Sequence, residues 1–531
     1  MKRIAIFLIL AFSFVLFTLT AFAGGPITLR FNLGTEPPTI DPALATDTTS
    51  VNVIEQLFLG LTDYDDNTME VIPELATRWK ASADGLTWTF YMRKDVKWTD
   101  GHPVTAHDIV YGVKRTLDPK TASEYAYVLY IIKGAEAYNT GKGSADDVGV
   151  KALDDYTVQF TLESPAGYFP AIAGMWVARP QPKWVIEKYG DKWTDPKNIV
   201  TNGPYKLVEW KHEDHMVLVK NPDYFDAKNV QIEKIMFYMV QEESTAMAMY
   251  ENGELDTVGV PIEDIDRVKK DPVLSKELYI APFLCTYYYG FNASRPPFDN
   301  PLVRKAFSAA IDRKTLVERI TKGGQKPAYT FVCPGIFGHV PPEKGIGIRF
   351  NPEQAKKWLA EAGYPNGEGF PEVVLMFNTS EGHRKIAQAI QAMWKKYLNV
   401  NVKLTNQEWK VYLKTLRSNP DAYNIYRLGW CADYPDANNW LNEVFNSKSP
   451  QNHTHWKNDF YDQLVEKAAR IQDPKMRLKL YEQAEYILCE QDAAIAPIYW
   501  YTTVNVTKPY LKRTYAPMGG EHIKDWRIVK K

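Results

Sequence analysis

The sequence lacks an excess of charge of either sign and has few cysteines. Its 531 residues include 63 Lys and Arg against 64 Asp and Glu, and only four Cys. A general nucleic-acid binder normally carries a basic excess that neutralises phosphates, so no nucleic-acid partner is expected. Hydrophobic residues make up 45% of the chain, which excludes disorder and supplies a core for two or three domains.

The sequence motifs of several enzyme classes are missing. There is no G-x-x-x-x-G-K-[ST] phosphate loop, no H-E-x-x-H and no G-x-S-x-G. His453 and His455 lack a third ligand nearby, so they are more typical of a solvated loop than of a zinc site. We therefore predict neither an enzyme nor a cofactor. Three acidic pairs lie beside turn signals and are interpreted as turn caps or solvated faces: Asp65-Asp66, Asp146-Asp147 and Asp154-Asp155.

One long apolar run is present, and it lies at the N-terminus. Two basic residues precede the apolar residues Ile4 to Leu19, and Ala21 and Ala23 supply the small side chains of a signal-peptidase site. An uncleaved anchor is the alternative, because about 20 residues can just span a bilayer. We predict that residues 1–23 are a signal peptide, cleaved after Ala23, and that the mature chain is exported.

The first part of the chain has strand character. Apolar and polar residues alternate over 27–31, and Leu86–Lys97 is rich in β-forming residues. Thr105 is predicted to cap a helix, with Asp108 facing the first free N–H groups of that helix.

The second half alternates strands and helices. Asp299 is predicted to cap one helix, and Asn351 to cap another that ends at Gly363. The later order is βαβαβ, which favours a mixed or parallel sheet with helices on its faces and hence the α/β class. Its strands are predicted over Val373–Phe377, Val400–Leu404 and Tyr423–Leu428, and its helices over 384–397 and 408–417.

Five segments carry a resemblance to a known family. From about Ile27 to the C-terminus, the chain resembles the periplasmic oligopeptide-binding proteins of peptide ABC importers. The resemblance implies a periplasmic binding protein-like α/β fold, in which two mixed lobes are joined by a hinge and a smaller α+β domain is added. The segments are Trp98–Asp108, Val200–Tyr205, Cys285–Tyr289, Pro296–Arg304 and the Gly-Trp-Cys-Ala-Asp-Tyr stretch Gly429–Tyr434.

The resemblance also implies a domain division and a function. Domain I would contain residues 24–58, 185–284 and 503–531, domain II residues 59–184, and domain III residues 285–502. Domains I and III would close over short peptides of varied sequence. The protein, a monomer in the periplasm, would then deliver them to the permease of an ABC importer in the inner membrane. A murein or signalling peptide, a non-peptide ligand and a periplasmic peptidase activity remain alternatives.

Such a site has physical requirements that four residues match. A buried peptide ammonium needs a carboxylate, and the peptide backbone must pair like an added strand. The resemblance implies that Asp433 pairs with the ammonium, although a helix-capping Asp is the alternative. Gly429 and Cys431 match positions whose main chain bonds the peptide, and Thr48 matches a partner strand across the cleft.

The carboxylate end of the peptide needs a cation. The resemblance implies this role for Arg427 and His383, and for Arg417 after a one-residue shift. Where the family uses a Lys for a longer peptide, this chain has Thr321, with Lys322 beside it. Without the resemblance, Arg427 and His383 are also compatible with surface charge and a core histidine.

Three aromatic residues match the walls of family pockets, where they offer large rigid surfaces with a polar tip. Taken alone, aromatic residues at such spacings are more typical of a core. These residues are Tyr125, Trp409 and Tyr501.

The cysteines are expected to form at least one disulfide in an exported chain. The resemblance implies that the pair is Cys285 and Cys431. Cys333 and Cys489 have no assigned counterpart, so a second disulfide and two buried thiols both remain open.

Overall fold

The computed structural model describes residues 25–529. The predicted signal peptide and its cleavage site therefore lie outside the described residues. Within this range, every helix is too short or too polar to cross a membrane.

The chain starts on one strand, forms a separate β-rich segment, and then completes a large sheet. Residues 25–204 contain β1 (Thr28–Asn32), α1 (Thr48–Leu57), β2 (Thr62–Tyr64), β3 (Val71–Pro73), β4 (Ala76–Ala81), β5 (Thr87–Met92), α2 (Ala106–Leu117), α3 (Ala135–Asn139), β6 (Val150–Asp154), β7 (Thr157–Thr161), α4 (Phe169–Gly174) and α5 (Lys183–Tyr189). Residues 205–277 contain β8 (Tyr205–Lys211), β9 (His215–Lys220), β10 (Lys234–Tyr238), α6 (Glu243–Glu251), β11 (Thr257–Gly259), α7 (Ile265–Lys270) and α8 (Leu274–Glu277).

The remaining residues complete the fold and provide most of its helices. They contain β12 (Leu278–Phe291), α9 (Pro301–Ala309), α10 (Arg313–Thr315), β13 (Lys326–Pro327), α11 (Pro352–Glu361), β14 (Val373–Asn378), α12 (Glu381–Leu398), β15 (Val402–Gln407), α13 (Trp409–Ser418), β16 (Ile425–Cys431), α14 (Glu443–Phe445), α15 (Asp459–Arg470), α16 (Pro474–Tyr486), β17 (Ile495–Thr507), β18 (Leu511–Lys512) and β19 (Arg527–Ile528).

An eleven-stranded mixed sheet runs through the molecule in the order β15-β14-β16-β12-β17-β11-β1-β10-β9-β8, with β13 also paired to β17. β14 is parallel to both β15 and β16, as the predicted βαβαβ order requires. A separate antiparallel sheet, β4-β5-β7-β6, is formed by strands between residues 76 and 161. The α/β class predicted from the sequence is therefore confirmed.

The long antiparallel pair β12–β17 lies in the middle of the large sheet and joins its two halves. β12 has 14 residues and β17 has 13. Their register is regular from Leu278 to Pro282, shifts between Pro282 and Thr286, and shifts again between Tyr287 and Tyr288. β16 pairs with the second half of β12, so the position of β16 depends on this pair.

Of two helix starts predicted from the sequence, the structure confirms one and corrects the other. The Thr105 N–H donates to Asp108 Oδ2 at 2.8 Å at the start of α2, as predicted. The cap of α9 is Asn300 and not Asp299, because the Asn300 Oδ1 is the atom that accepts from the Leu302 N–H, at 2.9 Å.

The strand predicted over Leu86–Lys97 is shorter than expected. β5 ends at Met92, because the Arg93 N–H leaves the ladder and donates to the Leu75 carbonyl at 2.8 Å.

A disulfide joins Cys285 to Cys431, as the resemblance implied. The two residues are direct partners in the β12–β16 ladder. Cys333 and Cys489 are free and buried, which favours the second of the two alternatives left open for them.

Replacing Cys285 and Cys431 together by Ser should lower the free energy of unfolding by roughly 2–5 kcal/mol, because the cross-link restricts a long loop in the unfolded chain. Urea denaturation followed by circular dichroism measures the change. Dithiothreitol should lower the midpoint of the wild type but leave that of the double variant unchanged. Equal midpoints for wild type and variant would contradict this assignment of the cross-link.

Candidate functional site

A cavity of about 320 Å³ lies where the start of α1, strand β16 and the C-terminal segment meet. The fold brings nine of the ten predicted site residues to its wall, and the tenth, His383, lies outside it. The nine are Thr48, Tyr125, Trp409, Arg417, Arg427, Gly429, Cys431, Asp433 and Tyr501.

Asp433 is a half-buried acid just beyond β16. Its Oδ2 accepts from Asn439 Nδ2 at 2.8 Å and from the Tyr125 hydroxyl at 3.3 Å. Burial raises the pKa of Asp433 to about 7, against the opposing effect of these hydrogen bonds, and no cation contributes to the shift. The helix-capping alternative does not describe its contacts, since the side chain accepts only from side chains. Asp433 is thus an acid in need of a positive charge.

Arg427 is the corresponding cation. It is 6% exposed, and its Nη1 donates to Asn378 Oδ1 at 2.9 Å while Nη2 donates to the Tyr501 hydroxyl. Its Nε has no hydrogen-bond partner among the described residues. Its polar neighbours are neutral tyrosine hydroxyls and the Asn378 amide, and it forms no ion pair with a carboxylate in residues 25–529. Arg427 therefore presents an uncompensated positive charge on the same wall as Asp433.

His383 lies behind Tyr287 rather than on the cavity wall. Its Nδ1 is 3.5 Å from the Tyr287 hydroxyl, while the Arg427 guanidinium lies 4.4 Å from the centre of the Tyr287 ring. Burial and the charge of Arg427 hold the pKa of His383 well below its usual range. A neutral His383 can orient Tyr287 but adds no positive charge to the cavity.

Lys322 does not reach the cavity. Its ammonium pairs with Asp266, and its carbonyl accepts from Lys269 Nζ at 2.7 Å. The position next to Thr321 that was considered as a ligand cation therefore faces a different part of the molecule.

Arg417 lines the cavity but already has partners. Its Nη2 donates to Thr46 Oγ1 at 2.6 Å, and its Nε pairs with Glu124. Thr48 is exposed and is the first residue of α1, so its assignment to a strand was wrong. The Asp47 side chain caps the helix at this point by accepting from the next free N–H groups.

The three predicted aromatic residues form parts of the wall. Tyr125 is 3% exposed and packs against Trp176 and Trp430, with ring centres at 5.4 and 6.4 Å. Trp409 donates its Nε1–H to Asp47 Oδ1 at 3.1 Å, and Tyr501 contacts Arg427. Each contributes an aromatic surface and a polar atom that contacts a charged side chain.

Sequence reasoning missed the support of Asp433. Asn439 Oδ1 accepts from the Asp433 N–H at 2.9 Å, while its Nδ2 also donates to Glu443 Oε2 at 2.8 Å. Burial raises the pKa of Glu443 to about 8. The spacing of Asn439 and Glu443, four residues apart after a Pro-containing turn, was the available signal for a shared helical face.

An ionic cluster forms the far end of the cavity. Glu55, Asp63 and His522 place one potential metal-ligand atom each within 4.8 Å of one another, and no other such group of three occurs in residues 25–529. These acids already have basic side chains as partners, since Arg179 pairs with Glu55 at 2.6 Å and Lys524 pairs with Asp63 at 2.8 Å. The cluster is better explained as a network that fixes the C-terminal segment than as a metal site.

Two polar sequence features are more buried than predicted. Asp66 is not a solvated turn residue, because its Oδ1 lies 2.5 Å from His522 Nδ1. His453 is 4% exposed, and burial lowers its pKa to about 3. The His453 loop closes on itself, since Asn452 Nδ2 donates to the Trp456 carbonyl at 2.9 Å; the solvated-loop interpretation was therefore wrong for His453.

Comparison with known proteins identifies relatives of the whole chain. Residues 70–452 match the bacterial extracellular solute-binding proteins, family 5 (middle). The periplasmic oligopeptide-binding protein OppA of Salmonella typhimurium is 38% identical over 513 residues, which cover 95% of this chain and 93% of that protein. The structure of Haemophilus influenzae OppA in complex with the peptide RPPGFSPFR has a TM-score of 0.88, with 33% identity and coverage of 96% and 100%.

Two structures of the murein tripeptide-binding protein MppA match this chain to different degrees. One MppA structure matches with a TM-score of 0.90 and 35% identity, covering 96% of this chain and 99% of that one. The unliganded open form of MppA gives 0.66, with coverage of 96% and 98%. The lobes are therefore arranged differently from that open form.

By sequence and by structure, the chain belongs to family 5 of the bacterial extracellular solute-binding proteins.

Proposed function

We propose that the protein is a periplasmic substrate-binding protein that captures short peptides in this cavity and delivers them to the permease of an ABC importer. Asp433 carries the proposal, since it is a carboxylate on the cavity wall that forms no ion pair with a cation in residues 25–529. A peptide ammonium would supply that charge. Arg427 on the same wall would receive the peptide carboxylate, because it has no acidic partner among the described residues.

The backbone of β16 supports binding of an extended peptide. One edge of β16 pairs with β12 along its whole length. The other edge pairs with β14 only at Ile425 and Tyr426, so Gly429 and Cys431 have no strand partner there among the described residues. A peptide can add as a strand at this edge, and its main chain then binds regardless of its side chains.

Closure over the peptide requires a hinge between the lobes, as the domain division 24–58, 185–284 and 503–531 against 285–502 implies. The register shift of β12 between Pro282 and Thr286 lies at that boundary and supports it. A break in the ladder is a place where backbone angles can change without losing paired hydrogen bonds. The peptide drives closure through its better contacts with the closed form.

A receptor accounts for the cavity better than a peptidase does. His522 is held between Asp63 and Asp66, at 2.9 and 2.5 Å. Burial opposes its charge, but Asp63 raises the pKa of His522 well above its usual range, so it is protonated and unsuited to act as a base. Cys431 is in a disulfide and cannot act as a nucleophile. The cavity is complete within one chain, which supports a monomer.

Replacing Asp433 by Asn should raise the Kd of a tripeptide about 100-fold or more, because the peptide ammonium would be buried without a counter-charge. Isothermal titration calorimetry with trialanine measures the change. N-acetylation of trialanine should weaken binding to the wild type by a similar factor.

The control is the combination of both changes. In the Asp433→Asn variant, acetylation should cost little, because the two changes remove the same ion pair. Independent, additive losses would show that Asp433 does not contact the ammonium.

Peptide affinity should fall by about tenfold for each pH unit below pH 7. Burial raises the pKa of Asp433 to about 7 in the free protein, whereas the bound ammonium favours the ionised carboxylate. Binding therefore releases a proton at low pH and becomes weaker as that proton becomes harder to remove. Calorimetry between pH 5 and 7 checks the slope, and the Asp433→Asn variant should lack it. Equal wild-type affinity at pH 5 and 7 would refute the role of this carboxyl group.

A further inference from the structure

Two helices begin opposite each other across the boundary between the two proposed lobes. α6 begins at Glu243, after strand β10 of domain I, and α12 begins at Glu381, after strand β14 of domain III. β10 is parallel to β1, and β14 is parallel to β16. Both helices therefore start at the carboxyl ends of parallel strands, which is the edge of an α/β sheet where ligands bind.

The first side chain of each helix binds the start of the other helix. Glu381 Oε2 accepts from the Ser244 N–H at 2.8 Å, and Glu381 Oε1 accepts from the Ser244 hydroxyl at 2.9 Å. In the other direction, Glu243 Oε1 accepts from the Ser380 hydroxyl at 2.6 Å, and the Gly382 N–H donates to the same carboxylate. We call these five residues the reciprocal cap, because each glutamate supplies the facing helix with an acceptor for its first free donors.

The reciprocal cap compensates charges that would otherwise repel. The N-terminus of a helix carries a partial positive charge, so two facing N-termini repel each other. The two carboxylates also repel each other. Burial raises the pKa of Glu243, the hydrogen bond from Ser380 opposes this rise, and the charge of Glu381 adds to it. Because each acid lies against the N-terminus of the opposite helix, both repulsions are offset as long as the two helices stay together.

The contact is closely packed. A Cβ atom at Gly382 would lie only 3.1 Å from Ile262 Cδ1 and 3.4 Å from Glu243 Oε2. Ile262 belongs to the proposed domain I but packs against the hydrophobic core of domain III. Lys385, in the next turn of α12, pairs with Glu263. The reciprocal cap is thus part of a continuous contact between the lobes that is apolar, hydrogen-bonded and ionic.

This contact adjoins the proposed peptide site but lies outside the cavity wall. Asn378, the last residue of β14, accepts from Arg427 Nη1 at 2.9 Å, and Ser380 follows two residues later. A second contact between the same sheet edges is formed by Thr35, whose hydroxyl donates to Glu408 Oε1 at 3.2 Å at the start of α13. The lobes therefore meet through side chains that leave the peptide-binding groups free.

We infer that the reciprocal cap is a latch that holds the lobes closed over a bound peptide and so determines how long the peptide stays bound. The inference rests on the proposed peptide-binding function and on the proposed closure of domain I against domain III. Opening of the lobes would separate the two glutamates from the facing helices. A contact of this kind favours the closed form for every peptide alike, because it does not touch the ligand.

The Glu381→Ala variant tests the latch, because it removes both hydrogen bonds to Ser244. Trialanine should dissociate from it about tenfold faster than from the wild type, since these bonds would form only in the closed form. The association rate should change by less than about twofold, because the open form captures the peptide before the latch closes. Stopped-flow tryptophan fluorescence measures both rates, since Trp409 and Trp430 line the cavity.

Glu353→Ala is the matched control. Glu353 is an acid in the first turn of α11, but it pairs with Lys356 of its own helix. Both rates should equal those of the wild type, and the thermal unfolding of the peptide-free protein should be similar in the two variants. N-acetylation of trialanine should weaken binding to Glu381→Ala by the same factor as binding to the wild type, because the latch and the ammonium site act independently.

The outcomes separate the latch from the peptide site. A wild-type dissociation rate in Glu381→Ala, a loss of affinity that arises from slower association, or an equally fast dissociation in Glu353→Ala would overturn the inference while peptide binding itself stands. If trialanine does not bind the wild type, the proposed function fails and the inference fails with it.

Discussion

The burial of Asp433 without a cation is the constraint on which the site depends. A carboxylate in such surroundings either takes up a proton or acquires a positive partner, and burial has already raised its pKa to about 7. The protein holds this acid firmly, since Asn439 contacts both its main-chain N–H and its side chain. The buried carboxyl group of Asp433 is thus unfavourable in the free cavity, and we propose that a peptide ammonium compensates it.

The rest of the fold places the complementary groups at a fixed distance from that acid. Arg427 and Asp433 lie on one strand and its extension, and the disulfide Cys285–Cys431 attaches that strand to β12. β12 in turn pairs with β17 in the middle of the large sheet. In the proposed mode of binding, one rigid element would recognise the charged ends of a peptide, and the peptide backbone would pair with the open edge of β16. Such recognition of termini and backbone would allow a single cavity to accept varied sequences.

The charges proposed to bind the peptide differ from those that stabilise the cavity. Glu55 pairs with Arg179, and Asp63 pairs with His522 and Lys524, so that these acids are satisfied within the protein and the second group attaches the C-terminal segment to β2. Charged groups that already have ion-pair partners contribute little to ligand binding. The charged groups proposed to bind the peptide are those without an ion-pair partner in the protein, because only they would gain a partner when the peptide binds.

Much of the fold and part of the site could be predicted from the sequence. Local patterns were sufficient for the βαβαβ order and for the helix that Thr105 begins, and the Gly-Trp-Cys-Ala-Asp-Tyr stretch was sufficient to single out Asp433. The pairing of Lys322 with Asp266 and the burial of His453 depend on contacts between distant segments, which no local pattern encodes.

A crystal structure of the protein with a bound tripeptide tests the central claim most directly. The account predicts that the α-amino nitrogen of the peptide lies within hydrogen-bond distance of an Asp433 carboxylate oxygen, about 2.7–2.9 Å, with Arg427 near the other end. A peptide bound in the opposite direction, or an amino group compensated by a different acid while Asp433 stays without a cation, would contradict it.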